Sequence, residues 1–147
     1  MNTTTENTNN AAEVTVGVWP GLIYRDGQAA LKFLTEGLGF TLVASYPGAA
    51  EGSIAHAELA WPSGGGIMIG SVDAKSEPDE FTALADRTQS VYLVHDDQDG
   101  LIARATAAGA SVVRELRDAD YGSRGFTVKD PEGNLWSVGT YRGEITK

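Results

Sequence analysis

Two stretches of this chain carry the same punctuation at the same spacing. Asp26 stands thirteen residues before Gly39, and Asp96 stands thirteen before Gly109. An offset of 70 continues through Gly52-Ser53 and Gly122-Ser123, and becomes 69 between Pro62-Ser63-Gly64 and Pro131-Glu132-Gly133. A solenoid needs three or more stacked units to bury its faces. Two copies of about 60 residues therefore predict one pseudo-symmetric domain, with its cavity where the copies meet.

Each copy reads as the same succession of elements. Val14 to Tyr24 is rich in β-formers and predicts a first strand. Asp26 offers an N-cap for a helix from about Gln28 to Glu36, with Ala30, Leu31, Leu34 and Leu38 at helical spacing and Gly37 and Gly39 as the stop. Strands follow at Phe40 to Tyr46, Ser53 to Trp61 and Ile67 to Ser71. The second copy predicts strands at Gln89 to Val94, Ser111 to Leu116, Arg124 to Lys129 and Leu135 to Tyr141. Between the first two of these lies a helix capped by Asp96 or Asp97, striped by Leu101, Ile102, Ala105 and Ala108, and stopped by Gly109. The fold class expected is α+β: two βαβββ modules whose curved mixed sheets surround a concave cavity.

The boundaries follow. Residues 1–13 are Asn/Thr-rich and read as a disordered tail. A single domain spans 14–141, with module 1 at about 14–72, a linker at about 73–88 and module 2 at about 89–141; 142–147 is a C-terminal tail. The linker holds Asp73, Glu77, Asp79, Glu80 and Asp86 and reads as solvated.

Bulk chemistry excludes several functions. The net charge of −9 argues against nucleic acid, whose phosphates want a basic patch. It suits either solubility or a cationic ligand. No apolar run approaches the ~20 residues of a membrane span, and Met1 to Asn10 lacks the basic and apolar regions of a signal peptide. With no cysteine, thiolate zinc sites and thiol catalysis are ruled out. A cytoplasmic location is expected.

The βαβββ repeat, with Asp130-Pro131-Glu132-Gly133-Asn134 before an apolar last strand, resembles the vicinal oxygen chelate superfamily, the glyoxalase / bleomycin-resistance / extradiol-dioxygenase group. The likeness covers about Val14 to Tyr141. Asp120-Tyr121-Gly122-Ser123-Arg124 followed by Asp130 to Trp136 is similar to a subgroup of small, uncharacterised glyoxalase-like proteins. The scaffold hosts lyases, epimerases, dioxygenases, thiol transferases and pure antibiotic binders, so the resemblance implies the fold more sharply than the reaction.

The resemblance also implies where metal-dependent members hold their ion: on the first and fourth strands of each module. Spacing maps those positions onto Trp19, Met68, Gln89 and Ser137. A divalent first-row metal wants imidazole or carboxylate donors, at least three from protein. An indole, a thioether, an amide and a hydroxyl do not supply them, so no cofactor and no divalent metal is expected.

His56 and Glu58 lie two apart on a predicted strand and so share one face, opposite Ala55, Ala57 and Leu59. They read either as a general acid–base pair or as a structural hydrogen-bonded pair. His95, beside Asp96 and Asp97, reads as a surface turn. Trp19, Phe126 (the expected counterpart of His56) and Tyr141 are placed on the concave face, with Trp61 and Tyr121 at its rims; Trp136 is read as core. With Gln89 and Ser137 from the mapped positions, they are the expected ligand-binding residues. Arg124 either grips a ligand carboxylate from a closing loop or pairs Asp118 or Asp120 in a capped turn.

Two functions stay open. The first is a metal-free binder resembling the bleomycin-resistance members, sequestering a small cationic or planar molecule. The second is a glyoxalase-like lyase, isomerase or dioxygenase in which His56 and Glu58 transfer protons. The reading leans toward no enzyme. A homodimer is expected, and whether modules pair within or between chains is left open.

Overall fold

The computed structural model describes residues 16–120 and 122–144. Each module forms a four-stranded sheet. Module 1 contains β1 (Gly21–Tyr24), β2 (Thr41–Pro47), β3 (Ile54–Ala60) and β4 (Gly66–Ser71), in the order β1-β4-β3-β2. Module 2 contains β5 (Ser90–Val94), β6 (Ser111–Asp118), β7 (Arg124–Lys129) and β8 (Leu135–Gly139), in the order β5-β8-β7-β6. In each sheet the first strand runs parallel to the fourth and the other pairs are antiparallel. The α+β doubling is as the repeat predicts. Helix α1 (Gly27–Lys32) continues as a π-helical segment, Phe33–Leu38, and α2 is Gln98–Ala107.

The first strand is shorter than expected. Val14 and Thr15 lie outside the described residues. Gly17 and Pro20 follow, and Pro has no N–H for a ladder. The carbonyl of Pro20 accepts from Met68 N, and regular pairing starts only at Gly21. Asp26 caps α1 by accepting from Ala29 N, and Asp97, not Asp96, caps α2 by accepting from Gly100 N. The caps are thus 71 apart while the terminating glycines, Gly39 (φ 98°) and Gly109 (φ 114°), stay 70 apart. The π-helical turn absorbs the additional residue, since i→i+5 bonding widens one turn.

One continuous core joins the modules. Leu22, Tyr24, Phe33, Leu34, Leu38 and Leu59 of module 1 share it with Leu93, Leu101, Phe126, Val128, Trp136 and Val138 of module 2. Phe40 lies between Trp61 (ring centroids 4.8 Å apart) and Trp136 (5.8 Å). At Gly37 the helices come so close that a Cβ would lie 2.8 Å from Ala108 Cβ.

Two turns lock the seam from opposite sides. Asp130, in the β7–β8 turn, accepts from Tyr24 Oη at 2.7 Å, and Glu132 accepts from the backbone N–H groups of Arg25 and Asp26 at 2.7 and 2.8 Å. In the equivalent β3–β4 turn, 69 residues earlier, Trp61 Nε1 donates to the Val94 carbonyl at 2.9 Å. The repeat is therefore a symmetry of fastening as well as of elements. Trp61, expected at a cavity rim, is instead 6% exposed within this seam.

Candidate functional site

The helices cover one face of each sheet and leave the other open. In module 1 the open face and the segment after β4 enclose a hollow of about 530 Å³, lined by Trp19, Ile23, His56, Met68, Phe81 and Leu84 among others. The linker is the surprise here. Its acids face solvent as expected and none of residues 73–88 is buried, but a 3-10 turn, Thr82–Asp86, also carries Phe81 and Leu84 over β1. These two apolar residues in an acidic run were the overlooked signal.

Asp79 organises that cover. Its carboxylate accepts from the backbone N–H groups of Phe81 and Thr82 and from Lys75. The Lys75 bond, then those to the backbone, hold its carboxyl below the usual carboxylate range. The Lys75 ammonium also lies 5.8 Å from the centroid of the Phe81 ring.

On β3, His56 and Glu58 share the open face as the strand period requires, with Nε2 and Oε2 2.8 Å apart. Tyr46, paired with His56 across β2, stacks on the imidazole at 6.2 Å. Both members of the pair are partly exposed, so the contact sits at the mouth of the hollow. Ala55 departs from the expected alternation: it is exposed, and Ile54 is buried in its stead. The pairing moves from Tyr46↔His56 to Pro47↔Ile54, so Ala55 is an additional bulged residue in β3.

That bulge explains the misplacement of Phe126. Its counterpart is not His56 but Ala57, because Glu58↔Met68 matches Thr127↔Ser137 at an offset of 69. Phe126 therefore faces the helices, pairs with Val138 and is 4% exposed. The open face of module 2 instead presents Thr127, whose Oγ1 lies 2.9 Å from Ser137 Oγ.

The remaining expected site residues are dispersed. Trp19 and Met68 line the module 1 hollow, whereas Ser137 lines a separate hollow of about 200 Å³ in module 2. The two linings share no residue. Gln89 precedes β5; its N–H donates to Asn134 Oδ1 and its carbonyl accepts from Leu135 N. Tyr92, three residues on, is the one paired with Ser137. Tyr141 lies beyond β8, where its hydroxyl contacts Glu144 at 3.3 Å and its carbonyl accepts from Tyr92 Oη. His95 is half-buried, its ring edge-on to Trp61 at 6.0 Å. Tyr121 lies outside the described residues.

Arg124 takes the pairing alternative with Asp118 (3.1 Å) and adds Asp99 (3.0 Å). Hydrogen bonds to Asp99 and then Asp118 raise its pKa further above its ordinary value. Among the described residues no group of three His, Cys, Asp or Glu side chains is arranged to hold a metal ion. At the mapped positions, Met68 is flanked by Gly21 and Glu58 and Ser137 by Tyr92 and Thr127, so a thioether and a hydroxyl have one neighbouring carboxylate between them and fall short of three imidazole or carboxylate donors. Those residues do not fit a divalent first-row ion.

A family model described as the glyoxalase/bleomycin resistance protein/dioxygenase superfamily matches residues 16–138. The chain belongs to that superfamily. An uncharacterized protein of Mycobacterium bovis is 30% identical over 134 residues, covering 88% of this chain and 86% of the relative. Among solved structures, TioX from Micromonospora sp. ML1 is 29% identical with a TM-score of 0.68, covering 86% of this chain and all of TioX. A glyoxalase-related enzyme from Fulvimarina pelagi shares the fold at 22% identity and a TM-score of 0.59, with 86% of each chain covered. Among the described residues no helix is long and apolar enough to cross a membrane.

Proposed function

We propose that this chain is a cytoplasmic, metal-free small-molecule binder acting as a homodimer, with its ligand seated in the module 1 hollow. The observation that carries the reading is the hollow itself. Trp19, Ile23, Met68, Phe81 and Leu84 supply apolar and aromatic walls, and His56, Ser71, Lys75, Asp79 and Thr82 supply the polar lining. Such a cavity suits a planar ring system, held by stacking and apolar burial with a few polar groups setting orientation. Lys75 lies bonded to Asp79 at the rim, so the local charges offset one another and planarity, more than charge, selects the ligand.

A homodimer fits the remaining surface. Val43, Tyr46, Val112 and Val113 expose apolar area on β2 and β6, the edge strands of the two sheets, which a second subunit would cover. The acidic balance leaves nucleic acid outside the reading.

The test is metal analysis of purified protein together with a thermal-shift screen of planar aromatic and basic compounds, since a ligand of the native state raises the melting point. The expected outcome is no stoichiometric metal and a planar hit whose shift disappears in Met68→Arg. Stoichiometric zinc, nickel, manganese or iron would overturn the reading. A second reading draws on the 2.8 Å His56–Glu58 contact: a glyoxalase-like enzyme using that pair for proton transfer. For a binder, His56→Ala weakens the hit by less than about tenfold, roughly one neutral hydrogen bond. An enzyme would instead lose turnover by about 100-fold or more.

A further inference from the structure

Module 2 has an open face of opposite chemistry. On β6, Arg114 pairs with Thr127 and Arg117 with Gly125. Thr127 and Gly125 lie on the open face, since Phe126 and Val128 between and beyond them are core. Residues directly opposite in an antiparallel pair project to the same side. Positions three apart normally face opposite sides of a strand. Here three steps along β6 match two along β7, and the bulge turns both guanidinium groups the same way.

Both arginines line the hollow of about 200 Å³, together with Arg124, Ser123 and Ser137. Arg124 is already bonded to Asp99 and Asp118. Among the described residues, neither Arg114 nor Arg117 has an ion-pair partner. Glu115 is the single acid in that lining. A chain with only 11 basic residues and a net charge of −9 thus gathers three arginines at one hollow. In a strongly acidic protein that concentration is the reverse of what solubility alone would place there.

We propose that the module 2 hollow is a binding site for a small anion, a phosphate or carboxylate group, held by Arg114 and Arg117 with hydroxyls beside them. The planar guanidinium forks match the paired oxygens of both groups. Arg124 is neutralised by Asp99 and Asp118, which leaves the anion to Arg114 and Arg117, with the Thr127–Ser137 hydroxyl pair in the same lining. This site is separate from the module 1 hollow and does not depend on what binds there.

The experiment is calorimetric titration of the full chain with inorganic phosphate and, separately, malonate, each against chloride at matched ionic strength. The two arms distinguish a phosphate site from a carboxylate site. Saturable binding of at least one is expected. Arg114→Gln/Arg117→Gln should weaken it by about tenfold or more, while Lys129→Gln, at the exposed end of β7, leaves it unchanged. Both substituted arginines are exposed, so the variant should keep the parent melting point. Absence of saturable binding by either anion overturns the proposal, as does equal weakening by Lys129→Gln. It also fails if the double variant binds anions normally but sediments as a smaller species, for then the arginines serve a contact between subunits.

Discussion

Asp130 offers the sharpest test of how the two modules are held together. Its carboxylate is 3% exposed and faces donors only. Oδ1 accepts from Glu132 N (2.9 Å) and Asn134 N (3.0 Å). Oδ2 accepts from Tyr24 Oη (2.7 Å), Trp136 Nε1 (3.0 Å) and, at longer range, Asn134 Nδ2 (3.4 Å). Asp130→Asn keeps the shape but puts an NH₂ where one oxygen was. With the amide oxygen toward the turn, Tyr24 can rotate its hydroxyl and accept, but its own O–H then loses its acceptor and the Trp136 N–H, a donor only, is orphaned. With the amide reversed, two backbone N–H groups are orphaned.

The first orientation costs less. The orphaned Trp136 N–H amounts to about 1–3 kcal/mol, and the loss of the charge-assisted bond from Tyr24 adds about 1 kcal/mol. The expected loss is about 2–4 kcal/mol, against the 5–15 kcal/mol typical of a domain. For a chain of 147 residues, each kcal/mol moves Tm by about 2–4 °C. Urea unfolding followed by tryptophan emission at fixed protein concentration measures this directly, because Trp136 lies in the network. A loss below about 1 kcal/mol would refute the reasoning. The fastening between modules has its own check: Asp130→Asn and Tyr24→Phe should couple by about 1 kcal/mol in a double-mutant cycle, and strict additivity would mean the two groups do not act together.

Four further outcomes follow from the same structure. Burial, then the neighbouring Asp130, pushes the Tyr24 phenol far above its usual value. Its contribution is therefore whole below about pH 10 and declines as pH rises further; alkaline melting curves should show the decline in the parent and a weaker one in Tyr24→Phe. The depressed Asp79 carboxyl acts in the other direction. Stability from it is present above about pH 4 and lost as pH falls through its folded value, so proteolysis of the linker should accelerate on acidification, and Asp79→Asn should remove that acceleration. Gly37→Ala forces a methyl against Ala108 Cβ and is expected to lower stability by about 1–3 kcal/mol despite the better helix former, as urea unfolding would show. Trp61→Phe deletes the donor to the Val94 carbonyl and should cost about 1–3 kcal/mol in the same measurement.

Much of the fold was legible along the chain because its signals are local. Asp26 and Asp97 cap helices through their own neighbours, Gly39 and Gly109 end them at positive φ, and Asp130 to Asn134 close a turn on itself. The doubling of these signals was enough to read two βαβββ modules. The His56–Glu58 contact was legible for the same reason: two residues apart on an unbroken stretch of strand share a face.

Tertiary structure decided which face every other strand residue took. Phase along a strand holds only while its partner keeps step, and a bulge is set by the pair rather than by either sequence. The additional Ala55 changes the offset between the modules from 70 to 69, so that Phe126 corresponds to the core residue Ala57 and not to His56, and the surplus residue in β6 brought Arg114 and Arg117 together. Trp61 and the linker residues Phe81 and Leu84 likewise took their places from distant partners, the Val94 carbonyl and the open face of β1. Sequence by itself determined the modules, their caps and their turns, because those bonds close within a few residues. Only packing determined what each hollow contains, because burial depends on surfaces that the chain brings together from far apart.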